Sequence, residues 1–388
     1  MKVLMIDPSG FTRPYNYCLC NALVGQNCLV KLITSKSIHP FQLENRRYQE
    51  EELFYKRSNP LIDRYGAGSV LRIFKGVEHL VDMYHFTRYT KDEKADIIHA
   101  QWFALPEIDW LFFNALKLRV NKLVYTVHNV FPHQRKASDK LIFSKIYGLF
   151  DGLITHTQYS KNLLIRKFGI ASSRIHVIPH GNFNYLSSLD GVRHNPLSIG
   201  NEVSQKRNVL FFGRIHPYKG LDVLIRAFAK VSNEIKDANL LIVGKPQVSV
   251  NSYRRLINQC GLSDKVTMVL EYVPDEDIRA YFSISDLVVL PYRQIDQSGV
   301  ALLACTMGKP IVATNVGGLD EVVCHRKNGR LVTPGDADAL AEAVIEMLLD
   351  KEKLREYGYF SRKLAETKFS WDCIATKTIE LYKKLKTQ

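Results

Sequence analysis

Short runs of aliphatic and β-branched residues recur along this chain, spaced so that an amphipathic helix fits between many of them. That alternation limits the fold more than any other feature. The first half carries VLMI (3–6), CLVKLIT (28–34), ADIIHAQ (95–101), KLVYTVH (122–128), GLITHT (152–157) and IHVIPH (175–180), with helical patterns at 15–25 and 160–169. The second half repeats the scheme with NVLFFGR (208–214), NLLIVGK (239–245), KVTMVLEYV (265–273), DLVVLP (286–291) and PIVATNV (310–316), and helical stretches at 220–231, 252–261, 275–285 and 336–350. Strands apolar along their whole length are covered on both faces, so they belong to parallel sheets with helices on either side. Two such series in 388 residues predict an α/β protein of two doubly wound, Rossmann-like domains facing across a cleft. The polar, aperiodic stretch between them reads as a linker. Ligands of open α/β sheets bind beyond the carboxyl ends of the strands, which is where chemistry is expected.

The formal charge is +14, and it is uneven: residues 1–200 hold 26 Lys and Arg against 16 Asp and Glu. The excess gathers in LKLRVNK (116–122) and HQRKASDKLIFSK (133–145), through Lys117, Arg119, Lys122, Arg135 and Lys136. Such a face suits anionic lipid or phosphate, or is simply a solvated surface. No signature of a nucleic-acid reader is present, so no nucleic-acid partner is expected. KLIFSKIYGLF (140–150) has the mixture of lysines and apolar residues of a helix lying at a lipid interface, and equally of a core helix. No apolar stretch reaches the ~18–20 residues that span a bilayer, and MKVLMIDPSG reads as a first buried strand rather than a secretory signal. The seven cysteines form no C-x-x-C pair and sit mostly among apolar neighbours, which predicts free thiols and a cytoplasmic setting. No clustering of metal ligands is visible, and no metal is expected.

Four strand-end loops of the second half converge on anion binding. FFGRIHPYKG supplies Gly213, then Arg214 and Lys219, a guanidinium fork and a point charge able to clamp a diphosphate. Taken alone, the pair is equally two solvated surface charges. The Ser298-Gly299-Val300 step opens an apolar helix, where free amides attract phosphate oxygens and glycine permits close approach. Gly244 in LIVGK lets a strand end come near a ligand, and Tyr272 and Val273, at the expected end of a strand, border a nucleobase. Asp275 and Asp277 read as first-turn acids of a helix rather than metal ligands. In the first half, His128 falls at a strand end and is expected to project into the cleft, and His99, His156 and His180 lie near other strand ends. The loop DPSGFTRPY offers Ser9, Gly10 and Arg13 to an acceptor.

Together FFGRIHPYKGLDVLIRAF, LIVGK, YVPDEDIRAYFSISDLVVLPY, QSGV, GKPIVATNVGGLDEVV and NGRLVTPGDADALAEAV resemble the GT-B glycosyltransferases of family 4, and ADIIHAQW, YTVHNV and IPHGN match the first domain. The resemblance implies transfer of a sugar from a nucleotide-sugar to a sugar or polyprenol-linked acceptor, with retention and without a metal or other cofactor. It implies an acceptor domain over 1–190, a linker over 191–205, a donor domain over 206–368 and a helix over 369–388 that crosses back to the first domain. Arg214 and Lys219 would hold the donor diphosphate, and His128 would sit beside the donor sugar. Many members carry Glu-x7-Glu at the helix start; aligned on Gly299, this chain has Asp296 in the first place and Ala304 in the second. Asp296 keeps a shortened acid for the donor sugar, while the carboxylate that meets the ribose is missing. Surface polysaccharide or glycolipid synthesis at the inner face of the cytoplasmic membrane is the expected setting. Two other readings share the fold, a sugar-nucleotide epimerase and a degenerate nucleotide-sugar-binding subunit.

Overall fold

A computed structural model describes residues 1–36, 45–131, 139–189, 203 and 205–388. The chain divides into two compact units, one of Met1–Gly181 with Trp371–Gln388 and one of Asn182–Ser370. The first unit thus ends nine residues before position 190, because Asn182 donates from its backbone to Phe369 O and from its side chain to Ala365 O, both within the second unit. The linker expected over 191–205 lies almost wholly outside the described residues.

In unit 1 the strands are β1 (Lys2–Asp7), β2 (Leu29–Ser35), β3 (Gln49–Phe54), β4 (Ile97–Ala100), β5 (Lys122–Val127), β6 (Gly152–Thr155) and β7 (Ile175–Val177). They pair in the order β3-β2-β1-β4-β5-β6-β7, every pair parallel. The helices are α1 (Arg13–Gly25), α2 (Ser58–Tyr65), α3 (Ser69–Glu93), α4 (Pro106–Lys117), α5 (Asp139–Leu149) and α6 (Gln158–Phe168). Unit 2 contains β8 (Arg207–Phe212), β9 (Ala238–Val243), β10 (Val266–Val269), β11 (Leu287–Leu290), β12 (Ile311–Thr314) and β13 (Gly329–Val332), in the parallel order β10-β9-β8-β11-β12-β13. Its helices are α7 (Leu221–Glu234), α8 (Asn251–Gln259), α9 (Asp275–Ser283), α10 (Gly299–Thr306), α11 (Ala337–Leu349) and α12 (Lys351–Glu366). Each sheet reverses its winding once, between β1 and β4 in unit 1 and between β8 and β11 in unit 2. Both units are therefore Rossmann-like, and each has one switch point where strand-end loops diverge and leave room for a ligand.

The chain's last helix, α13 (Trp371–Lys386), belongs to unit 1 and packs on α1. Its buried residues Ile374, Ala375, Thr378, Ile379, Tyr382 and Leu385 follow the helical period and form one stripe. Gly152 accommodates it, since a Cβ there would stand 2.9 Å from Leu385 Cδ1.

Helix α5 settles the reading of KLIFSKIYGLF. Ile146 and Tyr147 are fully buried, and Ile142, Phe143 and Leu149 pack on the same core. Of its large apolar residues only Leu141 is exposed, so this is a core helix and not a lipid-facing one. Arg135 and Lys136 lie outside the described residues, and Lys117 is ion-paired with Asp151.

Helices α2 and α3 occupy a stretch where the sequence reading places no element. The core side of α3 buries Met83 and Phe86 in the apolar core and beside them a polar group: Glu78 accepts from the amides of Arg57 and Ser58, Asp82 accepts from that of Tyr55, and His79 bridges Tyr55 Oη and Asp109. The carboxylates and the imidazole are thus satisfied, which removes most of their desolvation cost, while Ser58 Oγ and Tyr89 Oη have no partner in bonding geometry.

Candidate functional site

The switch point of unit 2 gathers most of the donor-site residues expected from sequence. Strand β8 runs into Gly213 (φ +100°), and β9 into Gly244 (φ +144°). A Cβ on Gly244 would lie 2.2 Å from Gly213 O, and one on Gly213 would lie 3.0 Å from Lys219 Nζ and 3.4 Å from a Val300 methyl. Gly213, Lys219, Gly244 and Val300 therefore meet at one point, and the two glycines are required by backbone geometry and space.

Lys219 ends a short 3-10 turn, Pro217–Lys219, and is only 7% exposed. Its ammonium lies 5.1 Å from the centre of the Tyr292 ring and, among the described residues, forms no ion pair and no side-chain hydrogen bond. Burial, and then the Arg214 guanidinium, push its pKa below the ordinary lysine range. Arg214 itself is exposed. The loop is held rigid from the other side of the switch point. Arg293 forks onto both oxygens of Asp222, at 2.9 and 2.6 Å, donates to Pro217 O at 2.7 Å, and takes Tyr218 O with its own amide. So the arginine that follows β11 is spent on positioning the lysine loop rather than left for a ligand.

Ser298 caps α10, its Oγ accepting from Ala301 N at 3.2 Å. The amides of Gly299 and Val300 head the helix and have no carbonyl one turn earlier to bind. A Cβ on Gly299 would meet only Phe183 Cζ, at an ordinary 3.6 Å, and its φ is not positive. Nothing in the protein itself demands glycine here. The Tyr292 hydroxyl is buried and directed toward Ser298, yet it has no partner in bonding geometry. Asp296 is half-buried just before the cap, and Ala304 is fully buried in the core. Tyr272 and Val273 do not end a strand, because β10 stops at Val269; both lie in the loop before α9, with Tyr272 64% exposed. Asp275 and Asp277 stand in the first turn of α9.

In unit 1 the strand-end groups converge on the β1/β4 switch point. Asp7 is fully buried and accepts from Ser9 Oγ, the amides of Phe11 and Thr12, Thr12 Oγ1 and Asn16 Nδ2. Burial raises its pKa against those bonds. This acid, which the sequence reading passed over, shapes the loop carrying Ser9 and Gly10 (φ +61°). The signal was there, an acid ending an otherwise apolar strand. Arg13 is engaged by Ser35 O and by Glu50 at 3.4 Å.

His128 is a buried residue, 6% exposed, and not a side chain projecting into open space. Its ring stacks on Trp102 (4.9 Å, 4° between planes) and meets the edge of Tyr15, while Trp102 Nε1 donates to Thr12 Oγ1. A polar ladder runs through it. His156 Nδ1 bonds Ile178 O at 3.0 Å, His156 Nε2 bonds His128 Nδ1 at 3.1 Å, and His128 Nε2 faces the Gln101 amide at 3.1 Å. With His156 Nδ1–H donating to the carbonyl, its Nε2 accepts from His128 Nδ1–H, which makes His128 Nε2 an acceptor and requires the Gln101 amide, placed here with Oε1 toward it, to turn its NH2 there by a flip. Burial, and then neighbouring histidines, hold His128 well below its ordinary pKa, and burial takes His99 and His156 down to about 3.

Those shifts predict acid sensitivity. Between the ordinary value of ~6.5 and about 3, the unfolded chain binds protons that the native histidines refuse, so this stability is present above pH ~6.5 and is lost as pH falls. The melting midpoint should fall from pH 7 to pH 5, and His99→Gln, with one titrating group fewer, should show a shallower slope. An identical slope would mean that the histidines do not set it.

Among the described residues no group of three or more His, Cys, Asp or Glu is placed to hold a metal, and all seven cysteines are free. The two switch points offer different chemistry. Unit 2 presents an unpaired buried ammonium, a guanidinium and a helix N-terminus, the parts of a polyphosphate cradle. Unit 1 presents a neutral, aromatic-walled histidine.

The family model "Glycosyl transferases group 1" matches residues 198–364, and "Glycosyltransferase Family 4" matches residues 14–181. The chain is 28% identical over 228 residues to a GDP-mannose-dependent alpha-(1-6)-phosphatidylinositol monomannoside mannosyltransferase of Mycobacterium tuberculosis, a match covering 57% of this chain and 58% of that enzyme. It is 26% identical over 311 residues to a D-inositol 3-phosphate glycosyltransferase of Corynebacterium glutamicum, covering 76% of this chain and 74% of that one. Its fold is that of the sucrose-phosphate synthase of Thermosynechococcus elongatus, with a TM-score of 0.74 over 99% of both chains at 23% identity.

Proposed function

We propose a reaction for a chain that belongs to the GT-B glycosyltransferases of family 4: transfer of a sugar from a nucleotide-sugar bound by unit 2 to a sugar or lipid-linked acceptor bound by unit 1, with retention of configuration. The observation that carries this reading is the buried Lys219 ammonium, without a carboxylate, beside Arg214 and the open N-terminus of α10. A buried charge is costly unless something compensates it, and a donor diphosphate supplies what the protein withholds. As the C1–O bond to the diphosphate breaks, negative charge grows on the leaving oxygen. Lys219, Arg214 and the amides of Gly299 and Val300 are preorganised to receive it. The acceptor oxygen bonds C1 on the same face, and its proton passes to the departing phosphate, so no second carboxylate is needed. These cations serve in place of a metal. Asp296 meets the donor sugar, Tyr272 and Val273 border the base, and Ser9 and Gly10 face the acceptor. The product is a surface glycan or glycolipid made at the inner face of the cytoplasmic membrane.

Labelled UDP-, GDP- and ADP-sugars, with and without lipid-linked acceptors and with a chelator, test the reading. Chelator-resistant transfer with the anomer retained is expected. An isomerised nucleotide-sugar without acceptor would make the chain an epimerase, and binding without turnover would make it a carrier subunit.

His128→Gln should lower kcat at least tenfold, on the order of a lost general-acid/base or polar contact, while nucleotide affinity holds. Calorimetric titration of the nucleotide alone separates the two; an equal loss of both would mark His128 as scaffolding.

A further inference from the structure

The polar ladder through His128 does not stop at Gln101. One atom of the Gln101 amide faces His128 Nε2 at 3.1 Å, and the other lies 3.3 Å from His99 Nε2. His99 Nδ1 in turn lies 2.6 Å from the Tyr382 hydroxyl on α13. Tyr382, His99, Gln101, His128 and His156 thus join end to end, all buried, and finish on Ile178 O.

A carbonyl oxygen only accepts, so the Ile178 end fixes the direction of every bond. His156 and His128 each carry their proton on Nδ1 and accept at Nε2. The Gln101 amide gives its NH2 to His128 and turns its oxygen to His99. His99 then holds its proton on Nε2, with Thr126 Oγ1 also 2.7 Å away, and accepts the Tyr382 O–H at Nδ1. Every donor along the ladder meets an acceptor. The opposite direction would set the lone pair of His156 Nδ1 against the carbonyl at 3.0 Å. A second proton on any of the three rings is opposed by their burial. Against the chosen direction stands Met5 Sδ, 2.9 Å from the amide atom that becomes oxygen. A thioether is a weak acceptor, so this contact yields.

Which nitrogen of a histidine carries the proton is set by what the other one binds. We infer that His156, Gln101, His99 and Tyr382 are positioning residues that hold His128 as its neutral Nδ1–H tautomer, so that it meets a substrate hydroxyl as an acceptor and never as the acid. Trp102, stacked on the ring, and the edge of Tyr15 keep the imidazole in its plane. The last helix of the chain thereby reaches the histidine at the end of β5 through two side chains. This deepens the transferase reading and rests on it only for the role toward substrate; the tautomer itself needs none.

Heteronuclear NMR of the full chain carrying isotope-labelled histidine reads each tautomer at neutral pH. His128, identified by the signals that His128→Gln removes, should show a protonated Nδ1 and a bare Nε2, as should His156, while His99 should show the reverse. His156→Leu removes the acceptor of the Nδ1 proton. It should release the His128 tautomer and lower kcat for sugar transfer about tenfold, with nucleotide affinity within about twofold of the wild type. His156→Gln, whose side-chain oxygen can take the same proton, should restore most of both. A wild-type His128 protonated at Nε2, or a His156→Leu variant with the wild-type tautomer or wild-type turnover, would overturn the inference. A chain that transfers no sugar to any acceptor fails the proposed reaction instead, and the spectra still decide the tautomer.

Discussion

Lys219→Met should lower kcat for sugar transfer about a hundredfold, the scale on which one preorganised donor to a developing oxyanion acts, and should at the same time raise the melting temperature. The two effects share one cause. An ammonium 7% exposed and without a carboxylate is held at a desolvation cost that an apolar side chain of similar length does not incur. The Tyr292 ring offsets part of that cost and bound diphosphate offsets the rest. Activity and stability are thus set against each other at this position. Arg214→Ala, at an exposed site, should cost closer to tenfold and leave stability unchanged. Steady-state kinetics beside calorimetric melting decides the matter: wild-type turnover with a lowered melting temperature would make Lys219 a structural residue.

Gly244→Ala should cost about 2–3 kcal/mol of stability and abolish measurable donor binding. At φ +144° an added Cβ meets Gly213 O at 2.2 Å, and both atoms are backbone, so neither yields without moving a strand end. The displaced segment carries Gly213, whose own Cβ position borders Lys219 Nζ. Gly299→Ala is the matched control. Its Cβ meets only the tip of Phe183, so it should fold as the wild type and lose only whatever affinity depends on close approach of a ligand. Chemical denaturation together with nucleotide titration distinguishes the pair. Equal stability of Gly244→Ala and wild type would show that the β8 and β9 ends have slack.

The strands were legible because parallel strands buried on both faces leave unbroken apolar runs, as in VLMI for β1 and LLIV for β9. Loops after such runs were legible as ligand loops for the same reason, and Gly213, Lys219, Gly244 and Val300 do meet. What a side chain does after the chain folds was less accessible. His128 sits at the end of β5, as its place after an apolar run indicates, but its stacking on Trp102 and its bond to His156 join loops distant in sequence. Arg293 forks onto Asp222, which precedes it by 71 residues, and no local pattern announces that pairing. Helix α3 escaped for a different reason. Its apolar residues lie on both sides, Met83 and Phe86 inward and Val70, Ile73 and Val77 outward, so no single stripe marks the helical period.

Helix α13 gives the chain an order of assembly. Unit 2 is one continuous stretch, Asn182–Ser370, and every strand of its sheet has been synthesised before Trp371 emerges. Unit 1 begins before unit 2 and is completed after it, since the Tyr382 hydroxyl that bonds His99 and the Leu381 and Leu385 side chains over Gly152 are made only once unit 2 is complete. During synthesis the N-terminal sheet therefore waits with the part of one apolar face that α13 covers still exposed, an exposure that invites chaperone capture or aggregation. Pulse proteolysis of ribosome-stalled chains ending near residue 370 should find unit 2 protected and unit 1 cleaved.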